Sequence, residues 1–147
     1  MSPARAPLLA ALALLPVLSV CQAASPTETR EIGVIEYHGS SEEVILAPDT
    51  VRAGVPFEVT VRTYGVGCDR ADAADTELIG GTAAIFPYDL TLSSPNLTCP
   101  GEIRRLARSV LIRFASPGVA VLRVRGRKVP SENDGSFTTI ERTIRVE

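Results

Sequence analysis

Phe57-Glu58-Val59-Thr60-Val61-Arg62-Thr63-Tyr64 alternates without a break: Phe57, Val59 and Val61 fall on one face, Glu58, Thr60 and Arg62 on the other. Successive side chains of an extended chain point to opposite faces, so this period of two marks a half-buried β-strand. Its lead-in, residues 48–56, holds Pro48-Asp49, Ala53-Gly54 and Pro56, which is turn chemistry around one short extended piece. Farther upstream, residues 32–37 and 43–47 read as strands joined through Gly39-Ser40-Ser41. Residues 83–86 and 88–92 form another strand, with Pro87 marking an edge or a bulge. Downstream, Val110, Ile112 and Phe114 share one face of the segment from Arg108 to Phe114. Ala115-Ser116-Pro117-Gly118 is a turn, and residues 119–128 and 137–146 are the last two strands, parted by the turn signal Asn133-Asp134-Gly135. Residues 102–107, after Gly101, are open to a short helix, although Arg104, Arg105 and Arg108 suit either helix or strand. Short strands at this spacing predict an all-β domain, a single antiparallel β-sandwich.

Two phrases sharpen that expectation. PDTVRAGVPFEVTVRTYG, beginning at Pro48, is followed by VLIRFASPGVAVLRVRG, ending at Gly126. Together they resemble bacterial immunoglobulin-like domains, which pair a Gly-x-Pro-Phe strand with a later Pro-Gly hairpin. The resemblance covers about residues 48–128 and implies an immunoglobulin-like β-sandwich and an envelope location; it implies no activity. The sequence departs from the pattern in lacking Trp altogether and in placing Ala120 where an aromatic residue is common.

The N-terminus predicts export. Arg5 precedes an apolar run over residues 7–20, which is followed by small residues. That order is a secretion signal, and the run is shorter than the roughly 20 apolar residues of a membrane span. Two processing readings stand side by side. Leu18-Ser19-Val20-Cys21 resembles a lipobox, which implies lipid on Cys21 and a signal over residues 1–20; cleavage after Ala23 implies a signal over residues 1–23. Residues 21–31 then read as a flexible tether, small and polar with Pro26, ahead of a sandwich domain over residues 32–147.

Loss of residues 1–20 removes only Arg5, leaving 14 basic against 17 acidic side chains, a net charge of −3. No basic excess points to nucleic acid, and the scarcity of aromatics argues against a stacking platform for bases or sugars. Cys68 and Cys99 form an even pair in an exported chain and are expected to be disulfide-bonded.

Residues 102–128 carry Arg104, Arg105, Arg108, Arg113, Arg123, Arg125, Arg127 and Lys128 against a single acid, Glu102. Arg123, Arg125 and Arg127 share one strand face and form a candidate anion-binding face for an envelope protein or an anionic surface. The competing account is cross-strand pairing with Glu141 or Glu58. Asp69, Asp72, Asp75 and Glu77 are spaced by two or three residues, which fits a solvated helical turn better than the alternating ligands of a calcium loop. His38 is the sole imidazole, in a turn-like segment, and no residue pattern calls for a cofactor or metal. The expected role is a non-enzymatic, exported or envelope-anchored binding or structural module, touching a membrane only through an N-terminal lipid. The alternative is an exported enzyme or metal carrier using the loop from Cys68 to Cys99.

Overall fold

A computed structural model describes residues 25–130 and 136–147 of the chain. Cys21, both signal-peptide boundaries and the turn Asn133-Asp134-Gly135 lie outside the described residues. Ten strands and no helix occur among the described residues: β1 (Thr27–Ile32), β2 (Val34–Tyr37), β3 (Ile45–Leu46), β4 (Thr50–Val51), β5 (Phe57–Val66), β6 (Arg70–Ile79), β7 (Thr82–Ser93), β8 (Ile103–Ile112), β9 (Gly118–Val129) and β10 (Phe137–Val146). No helix of the described residues is long and apolar enough to cross a membrane.

All ten belong to one sheet that curls into a half-barrel. Its main path runs β1-β7-β9-β2-β5-β3, with β6 on the edge of β7, β8 on β5, and β10 joining β9 to β4. The sheet is mixed rather than antiparallel throughout, because β7 and β2 both run parallel to β9, and β4 runs parallel to β10. The three parallel pairs are non-local, so no hairpin turn in the sequence announces them.

Gly33 is the node that makes the curl. Its N–H donates to the Pro87 carbonyl at 2.8 Å, and its own carbonyl accepts from the Arg127 N–H at 2.8 Å. Before it, β1 pairs with β7; after it, β2 pairs with β9 and touches β5. The close approach excludes a side chain here, since a Cβ on Gly33 would lie 2.4 Å from Thr63 Cγ2. Pro87 sits at the matching point of β7, where its neighbour changes from β9 to β1 and β6 is bulged between Ala71 and Ala74. A residue without an N–H is tolerated there because the ladder is already interrupted.

The hydrophobic core fills the inside of the curl. Val59 and Val61 from β5, Ile85 from β7, Ile112 and then Phe114 after β8, Leu122 and Val124 from β9 and Ile144 from β10 meet there with Ile35. Phe114 stacks on Phe57 with ring centroids 6.0 Å apart. The phases read from β5 and β8 therefore hold, with Glu58 and Arg113 exposed and Val110 packed against the core from a partly buried position.

Three local expectations are corrected. Residues 27–31, read as part of a tether, belong to β1, an exposed strand held by backbone pairing to β7. Residues 103–107 open strand β8 rather than a helix, because they are paired along β5 through Val66–Ile103 to Arg62–Ala107. The acids from Asp72 to Glu77 lie on strand β6, not on a helical turn, since the β6–β7 ladder runs from Arg70–Leu90 to Ile79–Thr82.

Candidate functional site

On the outer face of β6, β7, β9 and β10, register places Glu77, Ala84, Arg123 and Glu141 in one row across four strands. Ala84 has the shortest side chain of the row, so the surface sinks over it. The result is an open groove of about 580 Å³ whose lining adds Ile79, Phe86, Arg125, Phe137 and Thr139 to that row. Ile79 is 67% exposed and Phe137 49% exposed.

The three arginines predicted to share a face do share one, but their partners differ. Arg123 Nε donates to Glu141 Oε1 at 2.7 Å, the expected cross-strand pair. Arg127 Nη1 donates to Glu31 Oε2 at 2.7 Å and its Nε donates to the Ile32 carbonyl at 2.6 Å, so it serves the β1–β2 junction. Arg125 alone of the three has no carboxylate partner among the described residues; its guanidinium sits over the Phe137 ring at 5.1 Å. Thr139 stands directly opposite Arg125 in the β9–β10 register and is exposed. Exposed pairs of the Arg123–Glu141 kind contribute little, about 0–1 kcal/mol each. The groove thus offers one guanidinium without a carboxylate partner among the described residues, a neighbouring hydroxyl and an apolar floor.

Arg108 does not belong to that surface. It is 8% exposed and lies on the inner face of β8. Its Nη2 donates to Asp89 Oδ1 of β7 and, at 2.7 Å, to Thr63 Oγ1 of β5; Thr63 Oγ1 in turn donates to Asp89 Oδ1 at 2.9 Å. This triad ties three strands across the interior of the curl. Burial pushes the Asp89 carboxyl above its ordinary 3.8, more than Arg108 and the Thr63 hydroxyl draw it down. Burial likewise lowers the Arg108 guanidinium, against the pull of Asp89. Nε and Nη1 of Arg108 are buried with no hydrogen-bond partner in the protein. The sequence signal for this residue was its phase: Arg108 falls on the same face as Val110, Ile112 and Phe114, and Asp89 on that of Ala83, Ile85 and Pro87.

Cys68 and Cys99 are bonded, joining the β5–β6 loop to the segment ahead of β8. Beside them Asp69 accepts from the Val66 N–H at 2.8 Å and the Thr91 hydroxyl at 2.9 Å, and Asp72 pairs with Arg30 at 2.6 Å. Among the described residues no three His, Cys, Asp or Glu side chains group as metal ligands. His38 lies in a two-residue turn closed by mutual Tyr37–Ser40 backbone bonds, with φ of 48° at His38 and 80° at Gly39. Positive φ at both positions is the type I′ hairpin geometry, in which His38 takes the place Asn commonly holds. Its ring packs edge-on to Tyr37 at 4.5 Å.

No protein-family model, no curated protein and no solved structure matches this chain.

Proposed function

We propose that the chain is an exported, non-enzymatic binding domain of the immunoglobulin-like sandwich class, secreted or lipid-anchored at the cell envelope through Cys21. Its binding face is the outer surface of β6, β7, β9 and β10, and its partner is an anionic envelope surface. The carrying observation is Arg125, an arginine without a carboxylate partner among the described residues at the edge of an open groove. The Cys68–Cys99 disulfide is consistent with an oxidising, exported location. The enzyme or metal-carrier alternative has less support, because Asp69 and Asp72 beside the disulfide are engaged by Val66, Thr91 and Arg30.

The test is retention of the exported protein on vesicles of anionic lipid, with neutral vesicles as reference. Retention should fall between 0.1 and 1 M salt, as the Debye length shrinks from about 10 to about 3 Å. Arg125→Gln should weaken it more than Arg127→Gln, whose guanidinium is held by Glu31. Equal retention of wild type and Arg125→Gln, or none for either, refutes the reading.

A further inference from the structure

The outward positions of β9 read Val119, Val121, Arg123, Arg125 and Arg127: apolar at one end, basic at the other. Ile79 continues the apolar end, since it pairs with Thr82, which pairs with Val121. Phe86 stands one residue beyond the last β7–β9 pair, Ile85–Val124, and so falls beside Arg125. The groove therefore has polarity. One end offers the guanidinium of Arg125 and the hydroxyl of Thr139; the floor is Phe86 and Ala84; the far end is Ile79.

We propose that this groove binds an alkyl monocarboxylate, an anionic head on an apolar chain. This deepens the reading of the outer face as the binding face and rests on it. The head belongs at Arg125 for two reasons. Arg125 is the one arginine of the groove without a carboxylate partner among the described residues, because Arg123 is neutralised by Glu141. A planar guanidinium beside a hydroxyl suits the two oxygens of a carboxylate. The chain then lies over Phe86 and Ala84, where a longer chain removes more apolar surface from water. A volume of about 580 Å³ is within the ordinary range of small-ligand sites.

Calorimetric titration of the exported protein with monomeric hexanoate, octanoate and decanoate tests the proposal. Affinity should rise with chain length, by up to about fourfold per CH₂. Arg125→Gln should weaken decanoate binding about tenfold or more, the loss expected of a hydrogen bond to a charged group. Ala84→Leu fills the floor without touching a charge and should flatten the dependence on chain length. Both sites are on the outer face, so an unchanged thermal transition shows that the variants fold. Absence of decanoate binding, equal binding of octylammonium, or unchanged affinity in either variant overturns the proposal. Decanoate binding without retention on anionic vesicles keeps the ligand class and removes the envelope-surface reading; retention without decanoate binding does the reverse.

Discussion

Removing one member of the buried Arg108–Asp89 pair should be far worse than removing both. Asp89 is 4% exposed and Arg108 8% exposed, and they bridge β7 and β8 through the interior. Asp89→Leu leaves a buried guanidinium with only the Thr63 hydroxyl and the long 3.5 Å contact to the Leu106 carbonyl. Arg108→Met leaves a buried carboxylate with only Thr63. Loss of one partner of a buried pair costs about 3–5 kcal/mol, because the survivor keeps its desolvation penalty without its counter-charge. The double replacement removes both penalties. It also removes Arg108 Nε and Nη1, which lack protein partners already, each such donor costing about 1–3 kcal/mol. The double variant should therefore match wild type within about 1 kcal/mol or exceed it. Urea unfolding of the four proteins, with the slope m unchanged, measures this as a double-mutant cycle. Single variants that lose under about 1 kcal/mol, or a double variant equal to the sum of the singles, would refute the reasoning.

Phe114→Ala should destabilise by about 3–5 kcal/mol, since the ring is 3% exposed and stacked on Phe57; a urea midpoint close to that of wild type would mean the site is not core. Gly126→Ala would set a Cβ 2.5 Å from Ile35 Cγ2 and 2.7 Å from the Gly33 carbonyl oxygen, backbone that cannot swing aside. It should cost about 1–3 kcal/mol, and a thermal transition as high as that of wild type would show that β2 has room to move. The pair of acids has opposite pH signatures. The Arg30 hydrogen bond holds Asp72 below 3.8, so its stabilisation is present above 3.8 and fades as pH falls through the folded value. Asp89 lies above 3.8 in the fold, so between its folded value and 3.8 the folded state takes up a proton that the unfolded chain does not, and acidification stabilises. Urea unfolding at stepped pH should therefore show Asp72→Asn losing acid sensitivity below pH 3.8 and Asp89→Asn losing a gain above it; the reverse assignment would contradict both directions.

Strands whose two faces meet different surroundings were legible, and strands held by backbone ladders and surface ion pairs, with no apolar face, were not. β5 has core on one side and water on the other, so Val59 and Val61 alternate with Glu58 and Thr60, and its period can be read. β10 was read with its observed bounds, Phe137–Val146, for the same reason. β6 is different. Its sequence, RADAADTELI, buries none of its side chains fully, so no apolar period exists, and its strand conformation comes from the ladder to β7. β1 is exposed along most of its length and is fixed in the same way. The first half of β8 misleads for another reason: its inward positions are Leu106 and Arg108, and a charged residue at an inward position breaks the apolar pattern.

That break is also where the sequence was most informative about the interior. Arg108 was grouped with the surface arginines because it is basic and stands near them in the chain. Its phase says otherwise, and a buried arginine requires an acid at an inward phase elsewhere. Asp89, two residues beyond Pro87, is the acid of β7 that meets this condition, and Thr63 supplies the hydroxyl between them. The same test separates the outer arginines. Arg123 faces Glu141 directly across the β9–β10 ladder and Arg127 reaches Glu31 across the parallel junction, whereas Arg125 faces Thr139. Charge counted along the chain predicted a basic stripe of three; charge counted across the ladder leaves one guanidinium, that of Arg125, without a carboxylate partner among the described residues. That residue borders the outer groove, and the sunken floor at Ala84 gives an apolar chain somewhere to lie.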